Sequence, residues 1–199
     1  IMDKIICVGK NYLKHAQELG DAVPEEPLYF LKPPSTIFYA NSLEQKVGLP
    51  GRGEIHHELE LVLLISQSGT GFDFSHYTFG LDLTIRDLQT SLKKAGQPWE
   101  KAKVFKNSAV LGPWQRIDSM KETLELEFEL KVNGNVRQHG QGKDMRFQPR
   151  MLLDDVARWF PIMDGDIMFT GTPEGVSEMK RGDRLEVRGG KVQYALECC

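Results

Sequence analysis

Two glutamates one residue apart, Glu58 and Glu60, stand where an apolar run at residues 59–65 begins. Alternate side chains of a strand point to opposite faces, so both carboxylates share one face while the leucines between and after them point to the other. Two like charges held together in a partly buried place are unstable unless a cation or bound protons compensate. A metal ion is the obvious compensation. The alternative is a solvent-facing edge strand that carries two surface acids.

A second alternating run, at residues 77–87, brings a third carboxylate. Its apolar side chains occupy every second position, which puts Asp82 on the opposite face. Three carboxylates with no cysteine beside them favour a hard cation such as Mg²⁺ or Mn²⁺ over zinc, and leave coordination positions for water or substrate. His56 and His57 adjoin the acids, but consecutive strand residues face opposite ways, so at most one of them could join the site. We interpret both as supporting or loop residues.

Length, charge and cysteine content restrict the class of protein. The 199 residues predict a single domain, residues 1–199, and the formal net charge of −3 provides no basic surface for nucleic acid. Cys7, Cys198 and Cys199 form no disulfide framework, which favours a reducing compartment. No apolar run approaches the roughly 20 residues of a transmembrane helix. We therefore expect a soluble, cytoplasmic protein with no membrane partner, or a mitochondrial-matrix protein if a targeting segment preceded Ile1.

The elements that position these acids are predicted to be mostly strands. Helical spacing and caps predict helices at residues 11–19, where Asn11 is the expected cap, and at 87–95 and 149–160. The turns at Asn133-Gly134 and Gly189-Gly190 predict two hairpins. The expected fold class is therefore mixed and predominantly β, with strands at residues 4–8, 28–31, 123–132, 135–138, 167–170, 183–187 and 191–196.

Five motifs, taken together in their order and spacing, resemble the fumarylacetoacetate hydrolase family. They are CVGKNYLKH at residues 7–15, FLKP at 30–33, HELEL at 57–61, GLDLTIRDLQ at 80–89 and FTGTPEGV at 169–176. The resemblance runs over residues 5–187 and is closest to the short acylpyruvase and oxaloacetate decarboxylase branch. It implies a distorted β-roll with a few short helices, a divalent-metal site that takes Mg²⁺ or Mn²⁺, and assembly as a homodimer.

The resemblance also implies catalytic and metal-binding roles. The family's metal ligands correspond to Glu58, Glu60 and Asp82. His15 and Glu18 lie three apart and so on one helical face, and they match a pair that activates the attacking water; a surface ion pair is the alternative. Lys103 matches a lysine that binds the substrate carboxylate and stabilises the developing enolate. Its neighbour Lys106 stays open as a rival for that role.

Four further residues are implied to bind substrate, namely Lys10, Arg86, Gln89 and Thr172. The backbone N–H groups of the turn at residues 171–175 are also expected to suit a carboxylate. Two departures from the family pattern affect these expectations. Lys10 stands where many relatives have Arg, and a lysine cannot make a planar bidentate contact. The segment after Arg188 is shorter and more polar than usual, which affects the expected edge strands and dimer contacts.

The function implied is metal-dependent cleavage of C–C bonds in a small 2-oxo acid. In an acylpyruvate hydrolase, the water activated by His15 and Glu18 would release pyruvate. In an oxaloacetate decarboxylase, the same metal site would permit loss of CO₂, and either reaction would leave an enolate stabilised by the metal and Lys103. One alternative is an isomerase or decarboxylase of aromatic-ring degradation that acts on a conjugated 2-oxo dicarboxylate. Another is a non-catalytic dicarboxylate-binding relative, against which the retained candidate residues argue.

Overall fold

The structure, a computed structural model, describes residues 2–14 and 24–199. Within those ranges the fold is predominantly β, as the sequence predicts, with sixteen strands in three sheets and only short helices. The helix predicted over residues 11–19 lies mostly outside the described residues. The side chain of Asn11, its expected cap, is buried and bridges the chain to the backbone of Phe147 and Thr170.

The largest sheet has eight strands and carries two of the carboxylates singled out above, Glu60 and Asp82. Its centre is the long antiparallel hairpin of two strands, which pairs Leu59 with Leu81 and Glu60 with Gly80. Two strand pairs, at Ile5 with Ile167 and at Ile37 with Ala109, are parallel. The strand order is β2 (Leu28–Lys32), β1 (Ile5–Gly9), β13 (Ile167–Phe169), β6 (Leu59–Ser68), β7 (Gly71–Asp82), β9 (Ala109–Leu111) and β3 (Ile37–Tyr39), with β10 (Gln115–Arg116) paired to β7.

Two smaller sheets complete the fold. The five-stranded sheet runs in the order β12 (Asn135–Gln141), β11 (Glu127–Val132), β15 (Arg184–Gly189), β16 (Val192–Cys198) and β4 (Gln45–Val47). The three-stranded sheet consists of β14 (Ser177–Glu178), β5 (Ile55–His57) and β8 (Thr84–Ile85). The main core lies between the two larger sheets, where the rings of Phe79 and Phe128 stack with their centroids 4.8 Å apart.

Both predicted hairpins are confirmed. Asn133 and Gly134 have positive φ angles of 51° and 79°, as a tight turn between twisted strands requires, and they join β11 to β12. The second hairpin pairs β15 with β16 from Arg184 to Gly189. These turns were predictable because Asn-Gly and Gly-Gly tolerate the left-handed backbone that most side chains disfavour.

The α-helices that lie wholly within the described ranges are α1 (Arg86–Lys94), α2 (Glu100–Lys103), α3 (Met120–Glu125) and α4 (Pro149–Trp159), and two 3₁₀-helices span Pro34–Thr36 and Gly142–Asp144. The prediction of one strand over residues 123–132 is wrong, because α3 occupies its first part. The Ser119 side chain accepts from the N–H of Glu122 and so caps this helix, a local signal stronger than the apolar alternation. None of the helices in the described ranges is long and apolar enough to cross a membrane.

Candidate metal site and the cleft around it

The three predicted carboxylates converge. Glu58 lies in the break between β5 and β6, Glu60 is the second residue of β6, and Asp82 is the last residue of β7. Each offers one oxygen within 4.8 Å of the others, and all three side chains are buried. The predicted single strands are interrupted at Glu58 and at Leu83, where the chain passes between sheets. The N–H of Asp82 donates to the carbonyl of Glu58 at 2.9 Å and holds the two interruptions together.

Three cations surround these acids. Lys103 Nζ donates to Glu58 Oε2 at 2.9 Å, to Asp82 Oδ2 at 2.7 Å and to the hydroxyl of Thr84 at 2.6 Å. The Arg86 guanidinium binds the other oxygen of Glu58. Lys32 Nζ lies 2.5 Å from Asp82 Oδ1. The cluster therefore balances its carboxylates with long-range partners, since no two of the opposite charges in these contacts are close in sequence.

Lys103 rather than Lys106 belongs to the site. Lys103 is buried against the acids, whereas Lys106 is exposed. Lys32 was not assigned a role from the sequence. It ends β2, is fully buried and donates to the carbonyls of Leu83 and Ser108. The only sequence signal was its place in the Phe-Leu-Lys-Pro motif, where a lysine that ends an apolar strand before a proline does not by itself indicate burial.

Charge within the cluster is unevenly distributed. Burial and the neighbouring carboxylates of Asp82 and Glu58 raise the pKa of Glu60 well above its usual range, against the opposing effects of the Gly171 N–H and Lys103. Burial alone would lower the pKa of Lys103, but Asp82 and Glu58 outweigh it and raise that pKa. Glu60 thus lacks sufficient positive charge close to it, which a dication would provide. Three buried carboxylates fit a hard, oxygen-preferring divalent cation.

The turn after β13 also supports the site. The Gly171 N–H donates to Glu60 Oε2 at 2.7 Å. Gly171 has a φ of +99°, and a Cβ there would lie 2.7 Å from the Cβ of Asn11, so both backbone conformation and space require glycine. The sequence predicted that N–H groups of this turn suit a carboxylate. The Gly171 N–H does bind one, but the carboxylate belongs to the protein.

A cleft opens in front of the carboxylates and contains the predicted substrate-binding residues. Arg86 donates to Gln89 Oε1 at 2.7 Å, so the two side chains form one hydrogen-bonded unit. Lys10 enters the cleft from the end of β1 with a positive φ of 58°. The lining combines cations with two aromatic rings and includes Lys10, Phe30, Arg86, Gln89, Trp99 and Thr172. This combination suits a small anion with a flat carbon skeleton.

Two histidines singled out from the sequence are His15 and His57. His15, like Glu18, lies outside the described residues, so its predicted role stays a prediction. His57 is buried in β5, where Nδ1 lies 2.8 Å from Gln138 Oε1 and Nε2 lies 2.8 Å from Ser177 Oγ. Burial lowers the pKa of His57 to about 4, so its imidazole is neutral near pH 7. The ring nitrogens of His57 thus contact Gln138 and Ser177, and His57 belongs to a strand and not to a loop; its interpretation as a supporting residue stays a prediction.

These observations define an acidic, lysine-bridged site in a predominantly β fold, and the family model agrees with them. The model described as "Fumarylacetoacetate (FAA) hydrolase C-terminal" matches residues 4–195. The chain belongs to this family, whose members include hydrolases, tautomerases and isomerases. The expectation drawn from the five motifs is therefore confirmed at the level of the family.

Several named proteins are similar to this chain over most of its length. The chain is 40% identical to "Oxaloacetate tautomerase YcgM" of Escherichia coli K12, over 94% of this chain and 88% of that protein. It is 37% identical to "Oxaloacetate tautomerase FAHD1, mitochondrial" of Oryza sativa, over 92% and 83%. Among solved structures it is similar to fumarylpyruvate hydrolase from Pseudomonas aeruginosa in complex with Mn²⁺ and pyruvate. That similarity has a TM-score of 0.90 at 30% identity, and covers 100% of this chain and 91% of the other.

Proposed function

We propose that this protein is a divalent-metal-dependent enzyme that interconverts the keto and enol forms of oxaloacetate or a closely related 2-oxo dicarboxylate. The observation that carries this proposal is the convergence of three buried carboxylates within 4.8 Å, two of which, Glu58 and Glu60, line a cleft rich in cations. The name of the Escherichia coli relative supports the choice of tautomerase. Hydrolysis and decarboxylation, the activities that the sequence predicted, become the second candidate.

Glu58, Glu60 and Asp82 would hold the metal, which we propose to be Mg²⁺ or Mn²⁺. When bound, the metal would polarise the 2-oxo group and so acidify the C–H bonds beside it. The Mn²⁺ in the Pseudomonas aeruginosa structure supports the class of metal. Such a cation is the best fit because the candidate ligands are buried carboxylate oxygens and include no cysteine.

The cations of the cleft would bind the substrate's charges. The Lys103 ammonium, held at 2.7 to 2.9 Å from two carboxylates, is placed to offset negative charge that develops on the 2-oxo oxygen. Arg86 and Gln89 act as one unit and would bind one substrate carboxylate, and Lys10 would bind the other. Two separate positive groups that line one cleft therefore favour a ligand with two carboxylates over a monocarboxylate.

Tautomerisation moves one proton and breaks no C–C bond. A proton leaves C3 of the substrate, and a proton is added at the oxygen on C2, so the products balance without water. We propose that His15, oriented by Glu18, accepts the C3 proton. This assignment rests on the family motif alone, because both residues lie outside the described ranges.

C–C cleavage is the second candidate, because the same site also fits a hydrolase. The solved structure with a TM-score of 0.90 is described as a fumarylpyruvate hydrolase with pyruvate bound. In that case His15 would remove a proton from water instead of from C3, and the released products would be pyruvate and a carboxylic acid.

We further propose that the protein forms a homodimer, which sedimentation of the purified protein would test. We propose that it acts in the cytoplasm or in the matrix of mitochondria.

The test is a three-way assay of the purified protein with Mg²⁺ or Mn²⁺. Enol-oxaloacetate is followed by its ultraviolet absorbance, while pyruvate and CO₂ are measured in the same samples, and acetylpyruvate is assayed separately. A tautomerase speeds the loss of enol absorbance without forming pyruvate or CO₂. Pyruvate formed from either substrate would favour the cleavage candidate. A metal-loaded protein inactive on both substrates would refute the enzymatic proposals and favour a binding protein.

A further inference from the structure

The buried side chain of Gln138 links the Glu58–Glu60 segment to the turn after β13. Gln138 lies on β12, which carries none of the three carboxylates, yet its side-chain amide contacts the residues beside them. Its Oε1 accepts from the N–H of Leu59 at 2.9 Å and lies 2.8 Å from His57 Nδ1. Its Nε2 donates to Thr172 Oγ1 at 2.8 Å and to the carbonyl of Pro173 at 3.0 Å. Leu59 is the residue between Glu58 and Glu60.

The strand is shaped to deliver this side chain. Along the β11–β12 pair, Leu130 is opposite Gln138 while Lys131 is opposite Val136, so Arg137 is an extra residue in β12. Such a bulge changes the direction in which the following side chain points. Gln138 is 1% exposed, whereas Val136 and Arg137 are exposed. The bulge thus directs the side chain of Gln138 into the interior, although most of β12 is exposed.

The directions of these hydrogen bonds are determined by the partners. The Leu59 N–H can only donate and the Pro173 carbonyl can only accept, so the amide has one orientation. Because Gln138 Oε1 can only accept, His57 Nδ1 must carry the proton. In the neutral imidazole, Nε2 is then the acceptor for the Ser177 hydroxyl. A directed chain therefore runs from Ser177 through His57 and Gln138 to Thr172.

The chain determines what Thr172 can offer to a ligand. Thr172 Oγ1 accepts from Gln138 and donates its single proton to the carbonyl of Leu59 at 2.8 Å. A hydroxyl has only one proton, so this oxygen can meet a ligand only as an acceptor. Thr172 lines the cleft beside Glu58 and Glu60. It is therefore suited to a ligand hydroxyl, such as that of an enol, and unsuited to donate to a carboxylate.

We propose that Gln138, oriented by His57, is a positioning residue that holds the Glu58–Glu60 segment, through the backbone of Leu59, against the Gly171–Pro173 turn. This inference rests on the proposed function only in assuming that the site binds a divalent metal and a 2-oxo acid, because its test measures binding and not turnover. Gln138 has no contact with the cleft itself, and acts through Thr172 and through the backbone of Leu59. Its geometry can be judged by ligand binding even if the substrate is another 2-oxo acid.

The decisive variant is Gln138→Glu, which keeps size and shape. A carboxylate has no proton for the Pro173 carbonyl or for Thr172, so the turn loses two hydrogen bonds. We expect oxalate affinity of the Mn²⁺-loaded protein to fall by about tenfold or more, as the loss of such buried hydrogen bonds implies. Mn²⁺ affinity should change less, because the three acids keep their contacts with Lys103, Arg86 and Gly171. The same change at Gln141 on β12 is the control, since its side chain lies outside this network.

A second pair of variants keeps the test decisive if Gln138→Glu fails to fold. His57→Asn retains an amide donor near the position of Nδ1, whereas His57→Leu removes it. Oxalate affinity, measured by calorimetry below the melting temperature, should be near the wild-type value in His57→Asn and reduced in His57→Leu. Equal effects in the two His57 variants, or wild-type oxalate affinity in a folded Gln138→Glu, would overturn the proposal. An inactive wild type that binds Mn²⁺ and oxalate would refute the proposed function alone.

Discussion

Two buried groups of charges lie at opposite ends of the same parallel strand pair, β1 and β13. At one end, just before both strands, Asp166 accepts from Lys4 Nζ at 2.8 Å and from the N–H groups of Asp3, Lys4 and Met163. At the other end, the turn after β13 meets Glu60 and the other two acids. Burial would raise the pKa of Asp166, but Lys4 and the backbone donors lower it below its usual range. Glu60, crowded by carboxylates, has its pKa raised.

The two carboxylates differ in the protonation state that their surroundings favour. Asp166 receives donors on every side and so is most stable when charged. Glu60 has other acids as its close neighbours, and a further positive charge nearby would stabilise its charged form. The same protein therefore contains a carboxylate that its donors hold in the charged form, Asp166, and a buried carboxylate whose surroundings favour the uncharged form, Glu60. Substitutions at the two ends should have opposite consequences.

The largest effect is expected at the acidic cluster. Glu60→Gln keeps an oxygen that can accept from the Gly171 N–H but removes the charge of a proposed metal ligand. Activity should fall by about 10³-fold or more, and Mn²⁺ binding measured by titration should weaken in parallel. Stability without metal should be unchanged or higher, because repulsion among the acids is relieved. Glu125→Gln, at an exposed position, is the control, and an active Glu60→Gln would contradict a metal role for this residue.

The next effect is expected at Lys103. Lys103→Met keeps the length of the side chain but removes the ammonium that contacts Glu58 and Asp82. We expect kcat to fall by about 10²- to 10³-fold, as for other losses of a group that stabilises developing charge. Mn²⁺ affinity should not decrease, because a competing positive charge has been removed. Lys106→Met is the matched control, and equal losses of activity in both variants would contradict the assignment of Lys103 to the site.

The third prediction addresses the satisfied end. Asp166→Asn places an amide donor against Lys4 Nζ and the Met163 N–H, so it loses two hydrogen bonds and the ion pair. The free energy of unfolding should fall by about 2–3 kcal/mol, with little change in kcat below the melting temperature. Because the native pKa of Asp166 is lowered, its contribution is complete above the unfolded pKa and is lost as pH falls through the native value. The difference between wild type and variant, measured by denaturation, should therefore be full at neutral pH and shrink below about pH 4.

Asp118→Asn is the control for the pH dependence of unfolding, because Asp118 is exposed and its substitution should change the free energy of unfolding little at any pH. A pH-independent difference for Asp166→Asn would mean that packing, and not charge, accounts for its effect.

The sequence predicted the acidic cluster better than its surroundings. Alternation placed Glu58, Glu60 and Asp82 on common faces, and short-range turn chemistry predicted both hairpins. Lys32 and Gln138 were missed because their contacts join residues far apart in the chain. The strand predicted over residues 123–132 failed because alternation in a short apolar run does not exclude a capped helical turn. The roles of His15 and Glu18, the single domain and the homodimer stay predictions.

The smallest effect is expected at a third kind of carboxylate, which is paired in solvent. On α4, Arg150 Nη2 lies 2.6 Å from Asp154 Oδ1, one turn further along, and both side chains are exposed. The pair has the less favourable orientation, with the base before the acid and a cation in the first helical turn. A double-mutant cycle of Arg150→Ala and Asp154→Ala should give a coupling of at most about 0.5 kcal/mol. High salt should remove that coupling but leave the buried Lys4–Asp166 pair nearly unchanged, because buried charges are screened less. A coupling as large as the free-energy change expected for Asp166→Asn would mean that burial does not determine the strength of an ion pair in this protein.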